Sequence, residues 1–357
     1  MSLVHLEIAR VRNLNTVSLD PAERINLIHG ANASGKTSLL EAIHLLSMAR
    51  SFRSNSIQSI IQRGQETLTV FGRVKGAAGL ISVGIEKGRQ HTRIRINQQT
   101  VQKSSALAAV MPVQVINPDI HRLFEQGPRY RRQFLDWGLF HVEPAFLPVW
   151  QAYHKILRQR NAALRSGSPP GEVRYWDSQL VEQGQHLSEL RRQYLRDLQP
   201  WLEQYAEKLL DISPMVSYQP GWAREYEYVD AIERSFERDR QQGFTHSGPH
   251  RADLVIRHEA RPVQEHFSRG QQKLLACAMR LAQVAQYRAS QAKVPVLLVD
   301  DLPAELDPER RARLMTLLVE SGAQLFITAT EADLISLPGE DDIKMFHVER
   351  GMIREVV

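Results

Sequence analysis

Apolar residues alternate with polar ones through LVHLEIARVRNLNTVSLDPAERINLIHG (3–30), and a turn falls at Asp20-Pro21. That spacing predicts short strands. The last, Ile25 to His29, runs directly into GANASGKTSLLEAIHLLSMA (30–49). From Lys36 onward the spacing of Leu39, Leu40, Ile43 and Leu46 is helical. TLTVFGRV, GLISVGIE and HTRIRIN alternate again between glycine-containing turns and predict an antiparallel meander.

After Gly127 the pattern changes. Residues from about 131 to 211 are expected to be mostly helical, with RSGSPPGEVR (165–174) as a loop. Leu187, Leu190, Tyr194, Leu198, Trp201, Tyr205 and Leu209 step by three or four, a helix stripe that Pro200 should kink or divide. Strands return at DLVIRH, VPVLLVDDL, QLFITAT and IKMFHVERGMI, with a helix opening at HFSRGQQKLLACAMRLA (266–282). The expected fold is α/β: a mixed sheet plus an antiparallel meander over residues 1–124 and 221–357, and a second, mostly helical lobe over 125–220.

At 357 residues the chain exceeds the usual size of one core, so two lobes are expected. Hydrophobic residues at 43% and charged residues at 24% fit a globular protein. The one cysteine, Cys277, cannot form an internal disulfide, which fits a reducing, cytoplasmic setting, and it reads as a buried side chain on an apolar helix face. No apolar run of about 20 residues is present to span a membrane. MSLVHLEIARVRN lacks the apolar core of a signal peptide. The net charge is +5, but Lys and Arg crowd between Arg50 and Lys103 and between His121 and Arg165. Such polarity suggests a face for a polyanion.

The chemistry starts at Gly30-Ala31-Asn32-Ala33-Ser34-Gly35-Lys36-Thr37, a G-x-x-x-x-G-K-[ST] phosphate loop between a strand and a helix. Its backbone N–H groups would surround nucleotide phosphates, Lys36 would reach the β- and γ-phosphates, and the Thr37 hydroxyl would ligate Mg²⁺. Asp300 closes the VPVLLVDD strand, placed to hold Mg²⁺, and Asp301 beside it could polarise an attacking water. Asp307-Pro308 reads as a helix start. Ser268, at the head of its own apolar-periodic run, reads as an N-cap whose free backbone N–H groups attract an anion.

In this order, a Walker A loop, a distant S-x-G-Q element, a V-L-L-V-D-D strand and an A-E-L-D turn resemble an ABC-type ATPase head. ARSFRS (49–54), GPRYRRQFLDW (127–137), RNAALR (160–165) and SGPHRADL (247–254) extend the resemblance, over essentially the whole chain, to the RecF family of its SMC-like branch. The resemblance implies ATP and Mg²⁺ as cofactors and a head-to-tail homodimer. Ser268, Arg269, Gly270 and Gln271 of each subunit would then cap the γ-phosphate in the partner's Walker loop. It implies a slow ATPase acting as a switch, DNA binding without sequence readout, recombinase loading at single-strand gaps, and RecR and RecO as partners.

Carried onto this chain, Asp300 and Asp301 are the Walker B pair, Glu305 and Asp307 belong to the D-loop, and Gln114 is the candidate water and Mg²⁺ sensor. Arg50, Arg53, Arg129, Arg131 and Arg132 are the candidate DNA phosphate contacts. There are departures. Arg269 stands where transporters have glycine, Asp301 where many heads have glutamate, and Ala304 where serine is common. The switch residue is unassigned between Thr328 and Thr330. Two other classes fit parts of the sequence. A transporter ATPase subunit would need a membrane partner, and a small-molecule P-loop phosphotransferase would leave the S-R-G-Q helix unexplained.

Overall fold

The computed structural model describes residues 1–77, 79–301, 305–335 and 342–356. The chain forms two compact units, residues 1–120 with 291–357, and residues 121–290.

The first unit starts with strands β1 (Ser2–Val11), β2 (Leu14–Leu19) and β3 (Ile25–His29), followed by helix α1 (Lys36–Met48). The meander is β4 (Thr67–Gly76), β5 (Gly79–Gly88), β6 (Thr92–Ile96) and β7 (Gln99–Val101). A short helix α2 (Ser105–Val110) leads to β8 (Val113–Ile116).

The second unit holds the helices α3 (Arg122–Glu125), α4 (Pro128–Val142), α5 (Phe146–Arg165), α6 (Pro170–Arg174) and α7 (Asp177–Leu210). It continues through β9 (Met215–Gln219), α8 (Tyr228–Gln242), β10 (Asp253–His258), β11 (Arg261–Pro262) and α9 (Val263–His266) to α10 (Arg269–Gln291). The chain then returns to the first unit with β12 (Val296–Val299), α11 (Pro308–Glu320), β13 (Gln324–Ala329), β14 (Ile343–Glu349) and β15 (Met352–Val356).

Two six-stranded sheets make up the first unit, in the orders β2-β1-β4-β5-β6-β7 and β15-β14-β3-β13-β12-β8. The first is antiparallel throughout. In the second, β14, β3, β13, β12 and β8 run parallel and β15 closes the edge antiparallel. Every residue of β12 and β13 is buried, as parallel strands covered on both faces require. Leu39, Leu40, Ile43 and Leu46 of α1 share one apolar core with Leu6, Ile8, Val70 and Ile85 of the first sheet and Ile28, Leu298, Phe326 and Phe346 of the second.

In the second unit α7 runs unbroken for 34 residues with Pro200 inside it. The expected division does not occur. Leu195, Leu198, Leu202 and Ala206 continue the buried stripe past the proline, while Pro200 itself faces solvent. Packing along the stripe thus outweighs the hydrogen bond that the proline removes. The 165–174 segment is not all loop, since Pro170–Arg174 makes a helical turn.

The lobe boundaries also differ from the sequence-based division, because residues 221–290 fall with the helical unit. β10 pairs with β9 of that unit. The segment from Thr245 to Asp253 is held by its helices: Arg160 donates to the Thr245 hydroxyl at 2.8 Å, Arg191 to the Pro249 carbonyl at 2.8 Å, and Arg131 to Asp253 at 2.7 Å. α10 is tied in by Gln283, which donates to the Phe134 carbonyl at 2.8 Å.

Candidate functional site

The phosphate loop sits where the sequence placed it, between the carboxyl end of β3 and the first turn of α1. Gly30 has φ 150°, and a Cβ there would come within 2.2 Å of the Val348 carbonyl oxygen. Gly35, at φ 128°, is packed against Leu14 and Asn13. Only glycine meets both demands. The loop is braced from two distant segments. The Asn13 amide donates to the Ser34 carbonyl at 3.0 Å and accepts from the Ser38 hydroxyl at 2.8 Å. The backbone N–H of Gly351, in the β14–β15 turn, donates to that same Ser34 carbonyl at 2.8 Å. Both braces pull a loop carbonyl outward. The bare sequence gave no sign of Asn13.

Lys36 is buried, and its ammonium donates to the carbonyls of Gly30 at 2.9 Å and Ala31 at 3.2 Å. The Ser34 hydroxyl is buried with no hydrogen-bond partner among the described residues. A buried, unpaired hydroxyl within the loop is the kind of group a phosphate oxygen satisfies.

At the carboxyl end of β12, Asp300 accepts from the Thr37 hydroxyl at 2.8 Å. Burial raises its pKa; the Thr37 hydrogen bond opposes this, neighbouring Asp301 adds to it, and the Thr328 hydroxyl and the Arg53 guanidinium again oppose it. Thr328 lies against both acids. Its hydroxyl lies 3.0 Å from an Asp300 carboxylate oxygen and 3.2 Å from one of Asp301, and it accepts from the Asp301 backbone N–H at 2.8 Å. It orients both acids. Asp301, at φ 45°, turns its carboxylate to 4.0 Å from the Lys36 ammonium.

The donor set fits Mg²⁺. One hydroxyl and one carboxylate meet at a phosphate loop, and an ion held there would take its other oxygens from phosphate and water. Among the described residues no group of three His, Cys, Asp or Glu could hold a metal without such help. A cavity of about 600 Å³ opens beside Asn13 and Ser38, lined further by Arg12, Gln58, Ile61 and Gln62. It has room for a base and sugar. Arg12 is fixed there by Glu41, fully buried on α1, through bonds of 2.8 and 2.9 Å.

Ser268 is the N-cap the sequence promised. Its hydroxyl accepts from the Gln271 N–H at 3.3 Å, while the Gln271 side chain accepts from the Ser268 N–H at 2.9 Å. This reciprocal pair is a capping box. Arg269, 79% exposed, lies 3.3 Å from Glu125, and a Cβ on Gly270 would meet little. Asp307 caps α11 by accepting from the Arg310 N–H at 2.9 Å, and Glu305 is exposed. Ala304 lies outside the described residues.

Other expectations need correction. Gln114 does not reach the Walker end. It lies within β8 opposite Leu297, three residues before Asp300, or roughly 10 Å along the strand, and is 2% exposed. Arg131 is not a surface cation. It grips both Asp253 oxygens, at 2.7 and 3.0 Å, and donates to the carbonyls of Leu123, Phe124 and Gln126 at 3.0–3.3 Å. Arg132 is half-buried and donates to the Ala252 carbonyl at 2.6 Å. Arg50, Arg53 and Arg129 are exposed. Of these, Arg53 is near enough to Asp300 to act on its charge.

A family model for the RecF/RecN/SMC N terminal domain matches residues 2–354. A protein named DNA replication and repair protein RecF, from Pseudomonas aeruginosa (strain LESB58), is 45% identical over 361 residues, 99% of this chain and 98% of its own. Its namesake from Pseudomonas fluorescens (strain SBW25) is 45% identical over 364 residues, with the same coverage. A solved structure of "the recombination mediator protein RecF-ATP in RecFOR pathway" superposes with a TM-score of 0.89 at 25% identity, covering 100% of this chain and 98% of that one. An Smc head domain derived from Pyrococcus furiosus, bound to the C-terminal domain of ScpA, reaches 0.62 at 15% identity over 99% of this chain and 96% of its own, a likeness of fold alone. The architecture is that of an ABC-type ATPase head.

Proposed function

Because this chain belongs to the RecF family, we propose that it is an ATP- and Mg²⁺-dependent DNA-binding switch of recombinational repair, working at single-strand gaps in the cytoplasm. The observation that carries the reading is the Thr37–Asp300 hydrogen bond at the mouth of a braced phosphate loop, joining residues 263 positions apart. Lys36 neutralises phosphate charge, Thr37 and Asp300 hold Mg²⁺, and Asp301 orients the attacking water with Thr328 behind it. A short carboxylate reaches water less well than glutamate would, so hydrolysis is slow and serves as a timer.

The capping box at Ser268 supports the second half of the reading. A helix start carrying Gly270 and free N–H groups binds an anion. In a homodimer of two such chains each start closes on the partner's γ-phosphate, so ATP favours the dimer and hydrolysis releases it. RecR and RecO are the partners proposed from the RecFOR pathway named for the solved relative. No helix among the described residues is long and apolar enough to cross a membrane.

Sedimentation with a labelled duplex, with and without ATP, tests the proposal. ATP should yield two protein chains per duplex, and Ser268→Arg should abolish the pairing while ATP binding persists. A mass and DNA affinity indifferent to ATP would favour the monomeric phosphotransferase.

A further inference from the structure

The helical unit carries a cluster of cations that the nucleotide site does not use. Arg132 on α4 reaches back to the Ala252 carbonyl at 2.6 Å and so lies against the turn that presents Arg251. One helical turn beyond Arg132, Asp136 accepts from the Trp150 indole at 3.3 Å, which ties α5 to α4. Trp150, His154 and Arg158 then follow at four-residue steps along one stripe of α5. The His154 ring sits 4.2 Å from the Trp150 ring. From the other side His250 bonds the Tyr153 hydroxyl at 2.7 Å. Arg132, His154, Arg158, His250 and Arg251 thus gather from three segments onto one place.

The acids nearby are already engaged. Asp253 is held by Arg131, and Asp136 is gripped by Arg191 at 2.7 Å. Arg158 and Arg251 are exposed and Arg132 is half-buried. The Arg251 charge acts on Arg132. Burial holds the pKa values of His154 and His250 down to about 4; Arg191, then Arg158 and Arg132, push His154 the same way against Asp136, and Arg251 and Arg132 do so on His250 against its bond to the Thr245 carbonyl. The two rings are therefore neutral near pH 7, leaving three arginine charges in excess.

We propose that Arg158 and Arg251, backed by Arg132, form a contact for the phosphate backbone of duplex DNA on the helical unit. The excess charge fits a polyanion, and the cluster has no base-reading element. His250 is spent internally, its Nε2–H on the Thr245 carbonyl at 3.0 Å and its Nδ1 on the Tyr153 hydroxyl at 2.7 Å, so the arginines carry the contact. The inference rests on the reading of the protein as a DNA-binding switch, and it replaces Arg131 with two arginines that were not among the candidate DNA contacts, Arg158 and, from the SGPHRADL motif, Arg251.

The test is duplex binding at several salt concentrations with ATP present, comparing the parent protein, Arg158→Gln/Arg251→Gln, and the control Arg192→Gln. Arg192 is an arginine of the same unit paired with Glu189. Each lost phosphate contact lowers the slope of log affinity against log salt by about 0.9. The double variant should therefore lose about 1.8 from the slope (two contacts of about 0.9) and bind roughly tenfold more weakly at moderate salt. The control should match the parent. Unchanged melting temperature and ATP affinity in the double variant would show that the fold and nucleotide site are intact.

A double variant with parental affinity and slope would overturn the contact while leaving the DNA-binding reading standing. A parent that ignores duplex DNA would overturn both. Full competition by millimolar inorganic phosphate at constant ionic strength would assign the cluster to a small anion and overturn the backbone contact.

Discussion

Arg131 separates an architectural role from a DNA contact, and Arg131→Met is the decisive change. The guanidinium makes two bonds to Asp253 through Nε and Nη2, and its Nη1 donates to three carbonyls at the end of α3. Its side chain is 8% exposed and that of Asp253 19%. Methionine fills much of the same volume but leaves a part-buried carboxylate without its counter-charge. Breaking such a pair by removing one partner costs about 3–5 kcal/mol. At about 2–4 °C per kcal/mol for a domain of 150–250 residues, the melting temperature should fall by about 6–20 °C.

Scanning calorimetry of Arg131→Met, Asp253→Leu and the double variant measures this. The double variant should be more stable than the sum of the single losses predicts, because removing both charges leaves neither stranded. Where the protein remains folded, the salt slope of DNA binding should match the parent's. If Arg131→Met melted within 2 °C of the parent and lost salt-dependent DNA affinity, the architectural assignment would be wrong.

Three further outcomes are expected. His44, His141, His154 and His250 are held near pKa 4, chiefly by burial, against 6.5 unfolded. The unfolded chain therefore binds more protons, so stability is fully present above about pH 6.5 and is lost as pH falls toward 4, which melting curves across that range would show. Thr328→Val removes the hydroxyl between Asp300 and Asp301 and should weaken Mg²⁺-dependent ATP hydrolysis by about 10–100-fold, read as a shift in Mg²⁺ dependence at constant melting temperature. Cys277, fully buried with its thiol pushed up to about 12, should resist a thiol reagent in native protein and react on unfolding.

The elements that carry the nucleotide site were legible because their signals are local. A strand ending in a glycine loop, an apolar run ending in two acids and a serine heading a helical period each state their geometry within about ten residues. The sequence signal failed where geometry is supplied from afar. Asn13 became visible only when the β1–β2 turn was seen against Ser34, and the bonds from Thr328 to both acids only when β13 was seen beside β12.

The family motifs misled in an instructive way. GPRYRRQFLDW and RNAALR lie in a basic window that suggests an outward face, yet much of their charge is spent internally. Arg131 meets Asp253, Arg132 the Ala252 carbonyl, Asp136 meets Arg191, and Arg160 and Asn161 clasp Thr245. Charge counted along a chain cannot tell a solvated arginine from one that staples two segments. Gln114 failed for a related reason: a glutamine in an apolar strand says nothing about its distance from the strand's end.

The placement of β3 has a consequence for how the protein is made. This strand delivers the phosphate loop, and its sheet neighbours are β13 and β14, about 300 residues later. The second brace on the Ser34 carbonyl comes from Gly351. A ribosome that has translated the first 300 residues has released every residue of the loop but neither flanking strand. On the proposed reading, the ATP site is therefore completed only after β13, β14 and the turn that carries Gly351 have been made.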